Sequence, residues 1–465
     1  MKFINAICLS LVSLTAAAPA PQPAAAPQPA NLEERQLGGL LNGLLGGVFS
    51  GINSAAKKGD VNGVLSQLKA ATPTATPASP SAAIAAIQNI QQTAKPTNIY
   101  QYSAALSANG LLSGTLTSLI NGIGGQFTGQ NSISNSNPDP PTPVYPKRAS
   151  CDAPYTVSEA SLRGAIYIPP TFTKGQKPPV ILFPGTGNTG FQTFAGNFIK
   201  QLTNVPWADP VWVNVPNQLV DDAQKNAQYA AYALNYIASL TGKNVTIVAW
   251  SQGNIDTQWA FKYFPSTRKT TSDHLALSAD YKGTVLADFS CPDGLSCTPA
   301  VYQQQYLSAS NFITALRSNG GDSAYVPVTS VYSGLLDEVV EPQQGTGASA
   351  YINDARGVGV TNVEVQTACP GQPGGSFYGH EGILYNPLSI ALLKDAMSNP
   401  GPGSLSRIDA KGLCASYLGA GLGLGDLLVT ENSIAIAGLA ILVGNPRVTA
   451  EPAVMAYANA APATC

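Results

Sequence analysis

Between Val180 and Thr367 the chain alternates short apolar runs, rich in Val and Ile, with longer amphipathic stretches. The short runs are Val180 to Phe183, Val211 to Val215, Val245 to Trp250, His274 to Ala279, Val326 to Tyr332 and Val360 to Thr367. Brief and bounded by Gly or Pro, they predict strands. Asp221 to Leu240 predicts a helix whose first acidic residues suit the positive helix start, and Ile255 to Phe264 predicts a second that Pro265 stops. Continuous apolar strands separated by helices indicate an α/β architecture, a mostly parallel central sheet with helices on both faces. In such sheets ligands bind at the carboxyl ends of the strands. Each chemical candidate can therefore be judged by whether it follows a strand or precedes one.

Outside this region the pattern changes. Met1 to Ala18 has Lys2, an apolar run from Ile4 to Leu14 and small residues Ala16 to Ala18, the form of a cleavable export signal. Residues 19–148 are dominated by Ala, Pro, Ser, Thr, Gly and Asn, in tracts such as PAPQPAAAPQPA and TPTATPASPSAA. Few stretches there are expected to build a packed core. Leu37 to Ile52 has leucines near helical spacing, diluted by glycine, and could cover an apolar surface until removed; a linker without a task is the alternative. The tract ends at Lys147-Arg148 after DPPTPVYP, a plausible processing site that would leave residues 149–465 as the working domain. Ser433 to Gly444 is apolar but shorter than the ~20 residues of a bilayer span, so it is expected to be a buried or cleft-lining helix rather than an anchor.

Composition narrows the class. With 24 Lys and Arg against 26 Asp and Glu the net charge is -2, and nothing attracts a nucleic acid. Charged residues are only 11% and apolar residues 44%, which excludes a highly charged disordered chain. Loss of the signal removes Cys8 and leaves six cysteines, an even number that in an exported protein favours three bridges. Cys291 and Cys297, separated by PDGLS, could close a small loop. No CxxC pair or His/Cys cluster suggests zinc, so no metal is expected.

The run VTIVAWSQGN puts Ser251 where a strand ends and a helix begins, the setting of a nucleophile elbow. Ala249 and Gly253 supply the small residues the tight turn needs, although Gly is usual at both positions. A helix N-cap is the plain alternative for this serine. A serine hydroxyl needs a base, nearly always histidine, and the sequence has two. His274 opens a predicted strand, on the wrong edge of a parallel sheet, and is expected to be a surface or satisfied structural residue. His380 lies in the loop PGQPGGSFYGHEG beyond the strand ending near Thr367. Asp337, after VPVTSVYS, can hold the imidazole in its tautomer, with Glu338 as competitor. The order Ser251, Asp337, His380 is that of the α/β-hydrolase triad. An oxyanion hole would combine the main-chain N-H of Gln252 with the Gly-rich loop PGTGNTG, where Thr186 offers an amide and a hydroxyl. That loop has neither a Walker lysine nor dinucleotide spacing, so no phosphate cofactor is expected.

FPGTGNTG, AWSQGN, YFPS, SADYKGTV, YQQQ, YSGLLDEVVEPQ and GHEG, in this order, make the chain resemble fungal lipases of the Candida antarctica lipase B type, over about Pro178 to Tyr457. The resemblance implies an α/β-hydrolase acting on carboxylic esters, with Ser251, Asp337 and His380 as triad and Thr186 and Gln252 as oxyanion hole. It implies that Trp250 floors the alcohol-side pocket, that Asp280 and Gln304 are polar positions beside the acyl channel, and that Val339 lies on its wall. Cys369 and Cys414 match a family bridge, whereas the family partner of Cys465 is missing, and elimination pairs Cys465 with Cys151. The family's cap is replaced by LADFSCPDGLSC, which a Cys291-Cys297 link would stiffen. Gly419, Gly421, Gly423 and Gly425 are expected to break the start of the family's long cleft helix.

The expected activity is that of a secreted, cofactor-free, monomeric lipase or carboxylesterase working through an acyl-serine on ester or lipid substrates, in places at a lipid-water interface. A polyester or amide hydrolase with the same triad is one alternative. A secreted binding protein that kept the fold and lost catalysis is another, and it predicts missing triad members.

Overall fold

A computed structural model describes residues 47–71, 73, 76–113, 127–291, 296–334 and 336–461. The export signal and the first part of the leader lie outside them. Seven strands form one sheet: β1 (Ile166–Tyr167), β2 (Pro179–Phe183), β3 (Asp209–Val213), β4 (Val245–Trp250), β5 (Thr271–Leu277), β6 (Val328–Tyr332) and β7 (Val360–Glu364). Their order is β1-β3-β2-β4-β5-β6-β7, with only the β1/β3 pair antiparallel. All six predicted strands exist, shifted by a few residues. The last is shorter than expected, because Val365–Ala368 turns helical.

Strand alternation sends neighbouring side chains into two cores. Ile181, Phe183, Ile247 and Ala249 pack on one face, and Val180, Leu182, Val248 and Trp250 on the other. The leader joins the second core. Residues 47–57 are helical, followed by α1 (Val61–Ala70), α2 (Pro80–Asn89) and α3 (Ile99–Ala108). Ile84, Ile87, Tyr102 and Leu106 are buried in that cluster. The low-complexity composition had suggested otherwise. Ala-rich stretches form helices readily, and Asp60, Ser79 and Asn98 each cap a helix by accepting a main-chain N-H.

The face opposite the leader is covered by α4 (Ala223–Thr241) and α5 (Gln252–Tyr263). Asp222 caps α4, and Gly242 ends it at φ 65°, a left-handed conformation that glycine adopts without strain. The apolar segment expected over Ser433 to Gly444 is longer than predicted: α6 runs Leu424–Val443, 20 residues. It begins at Leu424, after Gly419, Gly421 and Gly423, and Asp426 accepts the Gly423 N-H at 2.7 Å, which anchors the first turn. By length and composition it could cross a membrane, yet 72% of its most apolar stretch is buried inside the protein. Helix α3 lies against α6, where a Cβ on Gly438 would stand 3.4 Å from Ile99 Cγ2.

Residues 127–148, also part of the expected leader, are stitched to the sheet. Gln130 O accepts from Trp212 Nε1 and Asn214 Nδ2, both at 2.8 Å, and Asn137 Nδ2 donates to Arg163 O and Ile166 O. Val144 is fully buried. Lys147 is exposed, whereas Arg148 donates to Asn235 O at 3.1 Å. The Cys291-Cys297 and Cys369-Cys414 bridges are formed. Cys151 is disulfide-bonded, and its expected partner Cys465 lies outside the described residues.

Candidate active site

Ser251 stands between β4 and α5 at φ 55°, ψ -133°, a conformation that L-residues rarely adopt and that costs on the order of 1–3 kcal/mol. Three hydrogen bonds hold it there. Its N-H donates to Leu277 O, and its carbonyl accepts from the N-H and Nδ2 of Asn254. The turn is as tight as the sequence implied, since a Cβ at Gly253 would fall 2.4 Å from Pro184 O. His274 serves this turn. It is buried within β5 rather than lying at the surface, and its Nε2 is 3.0 Å from Asn254 Oδ1. Burial pushes its pKa down to about 3, so the ring is neutral.

The three triad candidates meet at the carboxyl edge of the sheet. Asp337 follows β6, and both its carboxylate oxygens lie 2.9 Å from His380 Nδ1. The N-H groups of Val339 and Val340 fix Asp337 Oδ1 at 3.1 and 2.7 Å. Glu338, the competitor, takes a different partner: its Oε2 accepts the main-chain N-H of His380 at 3.0 Å. Ser278 Oγ and Trp250 Nε1 donate to His380 O at 2.7 and 3.2 Å, and the Trp250 and His380 rings stand 5.0 Å apart. With Nδ1 occupied by Asp337, His380 Nε2 has no partner and borders the cavity that Ser251 lines. Contacts between nucleophile and base are often open until substrate binds.

Thr186 follows β2. Its hydroxyl donates to Gln252 Oε1 at 2.6 Å and accepts from Gln304 Nε2 at 3.1 Å, so the two oxyanion-hole candidates and Gln304 form one network. The Gln252 N-H sits in the first turn of α5, where helix N-H groups lack an intrahelical acceptor. Trp250, Gln304 and Val339 line the cavity with Ser251. Asp280 does not: it is fully buried, outside the cavity wall, with neither carboxylate oxygen hydrogen-bonded. Burial raises its pKa to about 7.

Of the remaining walls, those from α6 fall in the segment expected to be a buried or cleft-lining helix, whereas Val301 and Ile99 escaped the sequence reading. Ile434, Ala437 and Ile441 come from α6, Val301 from the rim, and Ile99 from the leader. The helical spacing of the α6 residues was a usable signal, whereas nothing local distinguishes Ile99. The cavity is small, about 30 Å³.

No family model matches the sequence. Lipase B of Pseudozyma antarctica is 33% identical over 298 residues, 60% of this chain and 79% of the relative. The crystal structure of Aspergillus fumigatus lipase B superposes with a TM-score of 0.80 at 41% identity, covering 88% of this chain and 99% of that one. The chain belongs to the lipase B family, on an α/β-hydrolase fold.

Proposed function

We propose that the protein is an exported lipase or carboxylesterase in which Ser251 is the nucleophile, His380 the base and Asp337 the group that orients it. Ser251 Oγ attacks the ester carbonyl carbon and passes its proton to His380 Nε2. The Gln252 N-H and the Thr186 amide and hydroxyl stabilise the resulting oxyanion, for which the Thr186 hydroxyl turns away from Gln252 Oε1. The alcohol leaves with the proton from His380. Water, deprotonated by the same nitrogen, then attacks the acyl-serine and releases the acid. One observation carries this reading: His380 Nδ1 is held by Asp337 while Nε2, lacking any partner, borders the cavity of Ser251. Apolar walls from Val339, Ile434 and Ile441 suit an acyl chain.

We also propose that residues 47–113 are a cover that must leave before esters enter. Ile99 lines a cavity whose other walls belong to the hydrolase domain, and its volume of about 30 Å³ is small for an ester. The bonds of 127–148 to the sheet edge favour counting that segment with the hydrolase domain. The Cys291-Cys297 and Cys369-Cys414 disulfides and the leading apolar segment support export. A fluorophosphonate probe tests the chemistry. It should modify Ser251 in proportion to the ester hydrolysis lost, and Ser251→Ala should neither label nor turn over. Full activity in Ser251→Ala, or labelling at another residue, removes the assignment.

A further inference from the structure

Behind the imidazole lies a group of acids that the proposed chemistry does not use. Glu338 follows Asp337, Glu381 follows His380, and Glu431 projects from α6; all three are buried. One oxygen of each, Glu338 Oε1, Glu381 Oε2 and Glu431 Oε2, lacks any N-H or O-H donor. Their neighbours are each other: Glu381 interacts with both Glu431 and Glu338, and no donor from another residue reaches these three oxygens. A carboxylate cannot donate, so each of these contacts needs a proton between its partners. Three carboxyls in a row therefore hold two protons and at most one charge. Tyr385 Oη donates to Glu431 Oε1 at 2.8 Å, which settles that charge at the α6 end. Burial pushes all three upward, Glu431 to about 7 and the others well above the carboxylate range.

The other titratable groups reaching this chain are Asp337 and His380 from the two loops, Tyr102 from α3, and Tyr385 with Tyr378 beside it. No lysine or arginine is among them. The far end is tied to the base, because Glu338 Oε2 accepts the His380 N-H. The loop passes so close that a Cβ at Gly379 would stand 3.0 Å from Glu338 Oε2 and 3.4 Å from Tyr102 Oη.

We infer that Glu338, Glu381 and Glu431 form a proton-holding chain that positions the loop bearing His380, which makes Glu338 and Glu381 positioning residues for the base. Removing one more proton leaves two carboxylates in contact in a dry site, and their repulsion acts on the residue adjoining His380. The native state binds more protons here than the unfolded chain does, so order is retained at acid pH and lost as pH rises through the raised values.

The inference rests on His380 being the base, and Glu381→Gln in the full chain tests it. The amide accepts from Glu338 and donates to Glu431, so both contacts survive with one titrating group fewer. The alkaline fall in kcat should move up by about one pH unit or more, with KM within about twofold, whereas Glu381→Ala should lose at least about tenfold in kcat. An unmoved alkaline limb in Glu381→Gln, or wild-type kcat and pH profile in Glu381→Ala, overturns the inference. Urea unfolding between pH 5 and 8 reads the chain without activity: each extra native proton costs the wild type about tenfold in folding constant per pH unit, and the Glu381→Gln slope should be shallower. Equal slopes also overturn it. Ester turnover persisting in Ser251→Ala, measured alongside, would instead remove the proposed function and leave the chain to be decided by the unfolding slopes.

Discussion

Ile99 and Ser251 line the same cavity of about 30 Å³, although one belongs to the leader and the other to the strand-helix turn of the hydrolase domain. Helix α3 packs beside Gly438 of α6, where a Cβ would meet Ile99 Cγ2 at an ordinary contact distance of 3.4 Å.

Limited proteolysis that releases residues 47–113 from the folded protein should raise hydrolysis of a short soluble ester by about tenfold or more, the inverse of the uncovered fraction. Ile99→Ala removes buried methyl groups, a loss of about 2–5 kcal/mol that weakens docking of α3. The uncut variant should therefore be more active than the uncut wild type. Equal rates before and after cleavage would exclude a covering role.

Asp337→Asn keeps the shape of the side chain but alters what it offers His380 Nδ1, which lies 2.9 Å from both oxygens. Loss of the correct tautomer is expected to lower kcat by about 10⁴-fold with little change in melting temperature. Steady-state kinetics beside a thermal scan check this, and a loss under tenfold would argue against the assigned role.

Thr186→Val removes a hydroxyl at constant volume. Loss of one oxyanion donor is expected to cost about 10²–10³ in kcat while KM stays near its wild-type value. A rise in KM at unchanged kcat would mean that Thr186 only binds substrate.

The buried acids and the buried His274 act on stability in opposite senses. Asp280, raised to about 7, binds a proton in the native state over a range where the unfolded chain has lost it, so stability falls as pH rises from about 4 to 7. His274, lowered to about 3, withholds a proton that the unfolded chain accepts, so stability falls as pH drops below about 6.5. Asp280→Asn should therefore stabilise the protein at pH 8, by at most about 4 kcal/mol, and change little at pH 4. Chemical denaturation at the two pH values reads the difference, and equal shifts at both would contradict the buried ionisable carboxyl.

Much of this was legible along the chain. Strand and helix order follow from local apolar periodicity, and Ser251, Asp337 and His380 could be selected because each follows a strand of a parallel sheet. Local pattern could not separate Glu338 from Asp337, and only the resemblance favoured Asp337; in the structure the two side chains reach different atoms of His380. Asp280, read from the resemblance as a polar position beside the channel, is fully buried and outside the cavity lining, a distinction between burial beside a cavity and exposure within it that leaves no local trace.

The sequence by itself determined the elements, the sheet class and the chemical groups available, because hydrophobic period, turn chemistry and the strand-serine-helix pattern are local properties. Only the tertiary structure decided what those groups meet. That Ile99 borders the cavity, that helices of the leader pack on α6, and that Glu338 reaches the main chain of His380 all come from contacts between distant segments. Such contacts are fixed by packing and by the loss of water around buried charge, which no single stretch of sequence records.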